Sequence, residues 1–438
     1  MKPVRIGIAG LGTVGCGTVR VLERNGDEIS RRAGRKIEVT RALVKDASRL
    51  RDCPLTGIEL TTDSRDLIED PEIDVIVELM GGDDAARDLV LKSIARGKHV
   101  VTANKALIAV HGNDIFENAR QHGVMVAFEA AVAGGISIIK VIREGLSGNR
   151  VNRLAGIING TSNFILTEMR VGGREFADVL SDAQRLGYAE ADPAFDVGGI
   201  DAAHKLTILA SIAFGIPLQF DKVYTEGISN IRPEDVEHAA QLGYRIKHLG
   251  IAARVEGGFE LRVHPCLVPE KRLLANVDGV MNAILVEGDA VGPTLHYGAG
   301  AGAEPTASAV VADLVDVVRA LTTDPENRVP HLAFQSGRLS DVPILPIAKI
   351  QSAYYLRLNA LNRPGVLADI TRILGNLDIS IQAIQQKGNG DHEAVLPIII
   401  VTQMTREENM DQALAQLGEL QTVVGEIIRL RLENLEWD

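Results

Sequence analysis

Three glycines near the start of the chain constrain its fold more than any other feature. Gly10, Gly12 and Gly15 form a Gly-x-Gly-x-x-Gly turn directly after the apolar run 4–9 and directly before a helical stretch carrying Val19 and Leu22. Strand, turn without side chains, then helix is the arrangement that lets a pyrophosphate approach the N–H groups at a helix N-terminus, since a Cβ on the turn would block it. The spacing alone is a weak signal; its placement between strand and helix predicts a dinucleotide site. Further apolar runs at 37–44, 75–79, 100–103 and 124–128 alternate with helical stretches. That rhythm is the mark of a parallel α/β sheet.

The run 37–44 should end beside the adenosine ribose, where an acidic residue would accept from the 2′-hydroxyl of NAD. Lys45 and Arg49 stand there instead, and basic groups suit the 2′-phosphate of NADP. NADP is therefore favoured over NAD, although Asp46 offers a ribose partner and a merely solvated lysine is the bland alternative. The run 100–103 ends at Asn104 and Lys105. Ligands in open parallel sheets lie beyond the carboxyl ends of the strands, which places Lys105 near the nicotinamide end.

At 438 residues the chain is long enough for about three domains. The expected fold class is α/β: a Rossmann-type nucleotide-binding domain over 1–134, completed by about 303–325, where Pro305 sits at a helix start. A second, α+β domain follows over 135–302, then a proline-punctuated connector over 326–350. The tail, 351–438, reads strand, helix, strand, strand, helix, strand, a ferredoxin-like βαββαβ plan. Basic residues number 46 against 58 acidic ones, a net charge of -12, which argues against nucleic acid or an anionic membrane as partner. No apolar run approaches the roughly 18 residues of a membrane span. Three cysteines, Cys16, Cys53 and Cys266, have neither pairing nor zinc spacing, and a reducing, cytoplasmic setting is expected.

The densest constellation lies in 187–205, which contains Gly187, Tyr188, Glu190, Asp192, Asp196, Asp201 and Lys205. Asp201 and Lys205 are one helical turn apart and share a face. Such a pair is ordinarily a surface salt bridge. Here the helix continues through Leu206, Ile208, Leu209, Ile212 and Phe214, apolar nearly all round, so the pair is expected to be buried. Buried charge demands partners and often marks chemistry. His204 reads as a structural donor.

With these residues in register, together with the Gly-Leu-Gly-Thr-Val-Gly loop (10–15), Thr102 to Leu107 and Asn159 to Phe164, the chain resembles the homoserine dehydrogenases along almost its whole length. The tail, with Asn362, Arg363, Pro364 and Gly365, resembles an ACT regulatory domain. The resemblance implies reversible, NAD(P)-dependent conversion of L-aspartate 4-semialdehyde to L-homoserine, on the branch toward threonine and methionine. It implies that Lys205 is the proton donor and Lys105 a second catalytic lysine. Glu190 and Asp201 match substrate-binding positions, as do Asp196, Tyr188 and Thr161. Cofactor contacts fall on Thr13, Val14, Lys105, Gly187 and Gly302, and a monovalent cation such as sodium would take backbone oxygens near Glu129, Val132, Gly134 and Ile136. That loop reads equally as a glycine-rich crossover without an ion. The resemblance further implies catalytic and dimerisation roles for 135–302, a homodimer or homotetramer, and feedback by an amino acid, threonine first.

Two rivals set the terms of the structural test. A phosphorylating semialdehyde dehydrogenase needs a nucleophilic cysteine in the active cleft. A non-catalytic nucleotide and amino-acid sensor has no evident need for Glu190, Asp201 and two lysines.

Overall fold

The computed structural model describes residues 2–190, 192–335, 337–386 and 394–436. The chain divides into two compact units, one made of Met1–Gly160, Asp201–Val223 and Val280–Val342, the other of Thr161–Ile200, Tyr224–Gly279 and Pro343–Asp438.

The first unit is built on a six-stranded sheet. Its strands are β1 (Val4–Ala9), β2 (Ile37–Leu43), β3 (Glu59–Thr61), β4 (Val75–Glu78), β5 (His99–Thr102) and β6 (Val126–Ala127). They lie in the order β3-β2-β1-β4-β5-β6, all parallel. This is the Rossmann order, with the strand order reversing between β1 and β4. The central strands β4 and β5 are buried on both faces, which is why they read as unbroken apolar runs rather than alternating ones. The helix Ala303–Ala320 returns to this sheet from far along the chain. Its Val310, Leu314 and Val317 share a core with Val4, Ile6 and Ile8 of β1 and with Val19 and Leu22. Pro305 lies in its first turn, where the missing N–H has no intrahelical partner to lose. The same unit holds an antiparallel trio, Val151–Ile157, Met281–Gly288 and Gly292–Ala299, and the apolar helix Ile200–Phe214.

The second unit contains the long hairpin Tyr244–Val255 and Gly258–Pro269 and the tail. The tail's strands Gln351–Leu361, Ile381–Gln386, Val395–Thr402 and Val423–Leu432 pair antiparallel with the first strand between the fourth and the third. Helices Val366–Asn376 and Glu407–Glu419 cover one face, packing Ile370, Leu374, Met410 and Leu417 onto Leu356, Leu358, Ile398 and Ile400. The βαββαβ plan is present in full. Within this unit the tail joins the hairpin directly, because Val423–Leu432 runs parallel to Gly258–Pro269 with Cys266 opposite Arg431. Ion pairs tie the tail to the rest of the unit: Arg357 to Asp235 at 2.6 Å and Arg262 to Glu433 at 3.0 Å, both buried, and Arg431 to the half-buried Glu226 at 2.7 Å. Among the described residues, no helix is long and apolar enough to cross a membrane.

Candidate active site

The glycine turn has the geometry its sequence requires. Gly10 has φ +103° and an added Cβ would lie 2.6 Å from the Leu79 carbonyl oxygen, so both conformation and space demand glycine. A Cβ at Gly15 would collide with the Gly10 carbonyl oxygen at 2.0 Å. Gly12, the N-cap of the helix Thr13–Arg24, meets nothing within 4 Å, which leaves open the side from which a phosphate would reach the helix N-terminus. Thr13 and Val14 begin that helix, and Gly302 caps the start of Ala303–Ala320 with φ +132°. Beyond β2, Lys45 and Arg49 are exposed. Asp46 is already engaged: its Oδ1 accepts from the Ser48 amide at 2.8 Å and the Ser48 hydroxyl at 2.6 Å. Those two bonds hold its carboxyl below the ordinary value.

Lys105 is placed by a chain of short polar contacts at the carboxyl ends of β4 and β5. Thr102 donates to Glu78 at 2.6 Å, the Asn104 amide donates to Thr102 at 3.0 Å, and the Asn104 side chain accepts from the Leu107 amide at 3.1 Å. Asn104 thereby caps the helix Lys105–Gln121, whose first residue is the lysine. On Ile200–Phe214, Asp201 and Lys205 share one face as their spacing requires.

The three side chains meet. Asp201 Oδ2 accepts from Lys205 Nζ at 2.8 Å, and Asp201 Oδ1 lies 3.2 Å from Lys105 Nζ. Lys205 also donates to the Ile158 carbonyl at 2.8 Å, and Asn159 Nδ2 donates to Asp201 Oδ2 at 2.8 Å. Side-chain exposure is 6% for Asp201, 12% for Lys205 and 34% for Lys105. Burial by itself pushes the Asp201 carboxyl up. The two ammonium groups and the bonds from Lys205 and Asn159 outweigh it and hold the group well below the usual carboxylate range. One carboxylate between two ammonium groups leaves a net positive centre in a water-poor setting, suited to a developing oxyanion. His204 is neutral at pH 7, since burial and then the Lys105 charge push its imidazole down to about 4. Its ring packs on Phe220 with centroids 4.3 Å apart.

In the second unit the remaining predicted positions gather around the segment 187–199. Thr161 donates to the Tyr188 carbonyl at 2.6 Å, Ser162 to the Asp196 carbonyl at 3.3 Å and Gln184 to the Glu190 carbonyl at 3.1 Å. Tyr188 stacks edge-on against Phe164 at 5.1 Å, and Glu190 is exposed. Sequence reasoning gave Asn159 no role of its own, although it bonds to Asp201. Its one signal is its place in the motif 159–164.

Residues 129–136 form a tight loop in which Ala133 has φ 49°. The Glu129 carboxylate accepts from the amides of Ile139 and Lys140, both at 2.9 Å, and the Glu129 amide donates to Asp313 at 2.8 Å. Burial raises Glu129 to about 7 and, with the Glu129 charge, lifts Asp313 well above its ordinary value. Among the described residues, no group of three or more His, Cys, Asp or Glu side chains could hold a metal ion. A site of backbone oxygens is of a different kind.

Cys53 and Cys266 do not support thioester chemistry, and Cys16 is buried in the helix of the glycine turn with its Sγ on the Leu11 carbonyl at 3.4 Å. Burial, with a hydrogen bond to Cys16, pushes Cys53 up to about 12, and burial pushes Cys266 up as well. Neither is a thiolate at neutral pH.

Comparison with known proteins decides between the readings. The model of the family described as homoserine dehydrogenase matches residues 137–315, that of the homoserine dehydrogenase NAD binding domain matches 10–129, and that of the ACT domain matches 354–421. A homoserine dehydrogenase of Pseudomonas aeruginosa is 64% identical over 99% of this chain and 100% of its own. The chain belongs to the homoserine dehydrogenase family. A crystal structure of a homoserine dehydrogenase from Thiobacillus denitrificans superposes with a TM-score of 0.94 at 62% identity, covering 99% of each chain. A hyperthermophilic archaeal homoserine dehydrogenase, solved in complex with NADPH, shares the fold at 24% identity and a TM-score of 0.61 over 72% of this chain and 98% of its own. The enzyme is thus an NAD(P)-dependent oxidoreductase that interconverts L-aspartate 4-semialdehyde and L-homoserine, and it carries an ACT domain suited to allosteric control.

Proposed function

We propose that Lys205 and Lys105, held on the two oxygens of Asp201, form the proton-transfer centre of this homoserine dehydrogenase. The observation that supports it is the single buried carboxylate shared by two ammonium groups. When bound, a nicotinamide cofactor supplies the hydride in reduction and accepts it in oxidation. As hydride reaches the aldehyde carbon, negative charge builds on the oxygen. Two N–H bonds of Lys205 are committed to Asp201 and Ile158, so the third delivers the proton to that oxygen. In homoserine oxidation the same nitrogen takes the proton from the hydroxyl. Lys105 adds a second positive charge near the reacting carbon, and Asp201 orients both. Glu190, Asp196, Tyr188 and Thr161 are the proposed substrate-binding residues, Glu190 by offering a carboxylate to the substrate ammonium and Thr161 by holding the Tyr188 carbonyl. NADPH consumption with aspartate semialdehyde, and NADP reduction with homoserine, test the activity; no turnover in either direction would end this reading.

Gly10, Gly12, Thr13, Val14, Gly15, Gly187 and Gly302 are the proposed cofactor contacts, with NADP preferred. Support comes from the open face of Gly12, the basic end of β2 at Lys45 and Arg49, and the engagement of Asp46 with Ser48. NADPH held by the archaeal relative agrees. Lys45→Ala weakens NADPH about fivefold or more, the loss of one charge-assisted phosphate contact, and leaves NADH within about twofold. Titration of both cofactors checks this, and an unchanged ratio would make Lys45 a solvated bystander.

A monovalent cation fits the loop 129–136. The buried side chains of Glu129 and Asp313 lie beside it, and the backbone oxygens of Glu129, Val132, Gly134 and Ile136 are the proposed ligands. In the tail, a cavity of about 260 Å³ is lined by Leu361, Asn362, Arg363, Pro364, Val366, Leu367, Gln386 and Ile398. Its polar groups and the start of the helix Val366–Asn376 suit an amino acid, and threonine is the proposed effector. Asn362→Ala raises the threonine concentration for half inhibition about tenfold while basal kcat is unchanged. An unaltered inhibition curve would move the effector elsewhere. The enzyme is proposed to work in the cytoplasm as a homodimer or homotetramer, which sedimentation checks.

A further inference from the structure

We infer that Asn159 is a positioning residue for the reaction: its side-chain amide fixes the plane of Asp201 so that one carboxylate serves two lysines through different oxygens. The inference rests on the reading that Asp201 and Lys205 carry the chemistry.

A carboxylate facing two ammonium groups has competing arrangements. It can place one oxygen on each cation, or turn so that both oxygens chelate the nearer one and the other cation is released. Lys205 is the nearer, at 2.8 Å against 3.2 Å for Lys105, so an unrestrained Asp201 would favour the chelated form. Asn159 opposes that rotation. Its Nδ2 donates to Oδ2, the oxygen Lys205 already uses, at 2.8 Å, and thus pins Oδ2 and leaves Oδ1 turned to Lys105. The amide is itself buried, with a residue exposure of 5%, so water does not replace it easily.

The backbone makes this restraint directional. The strand Val151–Ile157 ends beside the cluster, and the next two residues present an acceptor and then a donor to it. The Ile158 carbonyl takes a proton of Lys205 at 2.8 Å and the Asn159 amide gives one to Asp201. Lys205, Asp201, Asn159 and Ile158 close a ring in which each position fixes the next. Lys205 therefore has one N–H direction left for substrate, and that direction depends on where Oδ2 is held. Misplacing a proton donor by about 1 Å can cost on the order of 100-fold in rate, with little effect on ground-state binding. A neutral amide is the donor that suits this position, because a third ammonium would compete with the lysines for Asp201 and a carboxylate would repel it.

The test uses the full-length enzyme with Asn159→Ala and Asn159→Asp, the latter keeping the shape and, when ionised, lacking the donor, beside Lys205→Ala as reference. Both Asn159 variants are expected to lose about 10- to 100-fold in kcat. KM for homoserine and the NADPH dissociation constant should stay near wild type in both, and the melting temperature in Asn159→Ala, while Asn159→Asp is expected to melt lower because it buries a second carboxylate against Asp201. With homoserine deuterated at the carbon that yields hydride, the isotope effect on kcat should grow, because a misplaced proton acceptor makes the chemical step limiting. A kcat within twofold of wild type in both variants overturns the inference. So does a fall in kcat in Asn159→Ala accompanied by equal losses of cofactor affinity and melting temperature, which would mark Asn159 as structural only. Failure of Asn159 with a large loss in Lys205→Ala removes the positioning role and leaves the catalytic reading standing; a normal kcat in Lys205→Ala removes the reading itself.

Discussion

Lys205→Ala lowers kcat by about 10²- to 10⁴-fold in both directions, with KM for homoserine changed far less. The size follows from what the side chain alone supplies. It is the more buried of the two lysines, and its bonds to Asp201 and Ile158 leave one proton direction free for substrate. Lys105, on a different helix and on the other oxygen of Asp201, is not placed to take over that direction. Removing Lys205 also takes one of two cations from Asp201, so the variant loses some stability as well as rate. Lys205→Met, which keeps most of the packing volume, separates the two: its melting temperature should lie above that of the alanine variant while kcat is equally low. Pre-steady-state measurement of NADPH formation checks the assignment, and a kcat within about threefold of wild type in both variants would remove Lys205 from the proton step.

What could be read in the sequence was what local geometry carries. The glycine turn was legible because strand, turn and helix are contiguous, and Gly10 and Gly15 answer steric demands of their own neighbours while Gly12 leaves the helix start open. The pairing of Asp201 with Lys205 was legible because a helix puts i and i+4 on one face, and the apolar residues around them announced that the face is buried. The tail's βαββαβ order followed from strand and helix periodicities alone. Long-range convergence was less accessible. Lys105 reaches the same carboxylate as Lys205 only through the tertiary fold: its strand-end position and the motif resemblance marked it as a second catalytic lysine, but neither paired it with Asp201. Asn159 was harder still: an asparagine after an apolar run reads as a turn, and its bond to Asp201 spans 42 positions. The same limit hid the buried arginines of the tail. Arg429 and Arg431 alternate with Ile428, Leu430 and Leu432 as solvent-facing residues of an amphipathic strand would, yet Arg431 is 1% exposed. Alternation signals two faces; it does not say that the second face is covered by another part of the chain.

That covered face makes Arg431 a large contributor to the stability of the second unit. Its guanidinium donates to Glu407 Oε2 at 2.9 Å, to Glu226 Oε2 at 2.7 Å and to the Tyr224 hydroxyl at 3.2 Å, and lies over the Tyr224 ring at 5.0 Å. Burial opposes the charge, but Glu407 and Glu226 outweigh burial and keep the arginine ionised. Arg431→Ala leaves Glu407, itself 2% exposed, with Arg429 as its remaining cation, and costs about 3–5 kcal/mol, the usual loss when one partner leaves a buried pair. Glu407→Gln in the same background should restore part of that loss, since a neutral amide needs no buried counter-charge. The effect should spread beyond the tail. The Glu226 carbonyl meets His248 Nε2 at 2.9 Å, the Ile228 amide donates to the Val197 carbonyl at 2.9 Å, and a Cβ on Gly199 would lie 3.1 Å from the His248 ring. Loosening Glu226 therefore loosens the support of 197–199, next to the positions proposed to bind substrate. Thermal unfolding should show the lower stability, and amide hydrogen exchange at 197–199 and 226–228 should quicken in Arg431→Ala. A stability change under about 1 kcal/mol with unaltered exchange would mean that strand pairing between Cys266 and Arg431 joins the tail by itself, and that the ion network adds nothing measurable.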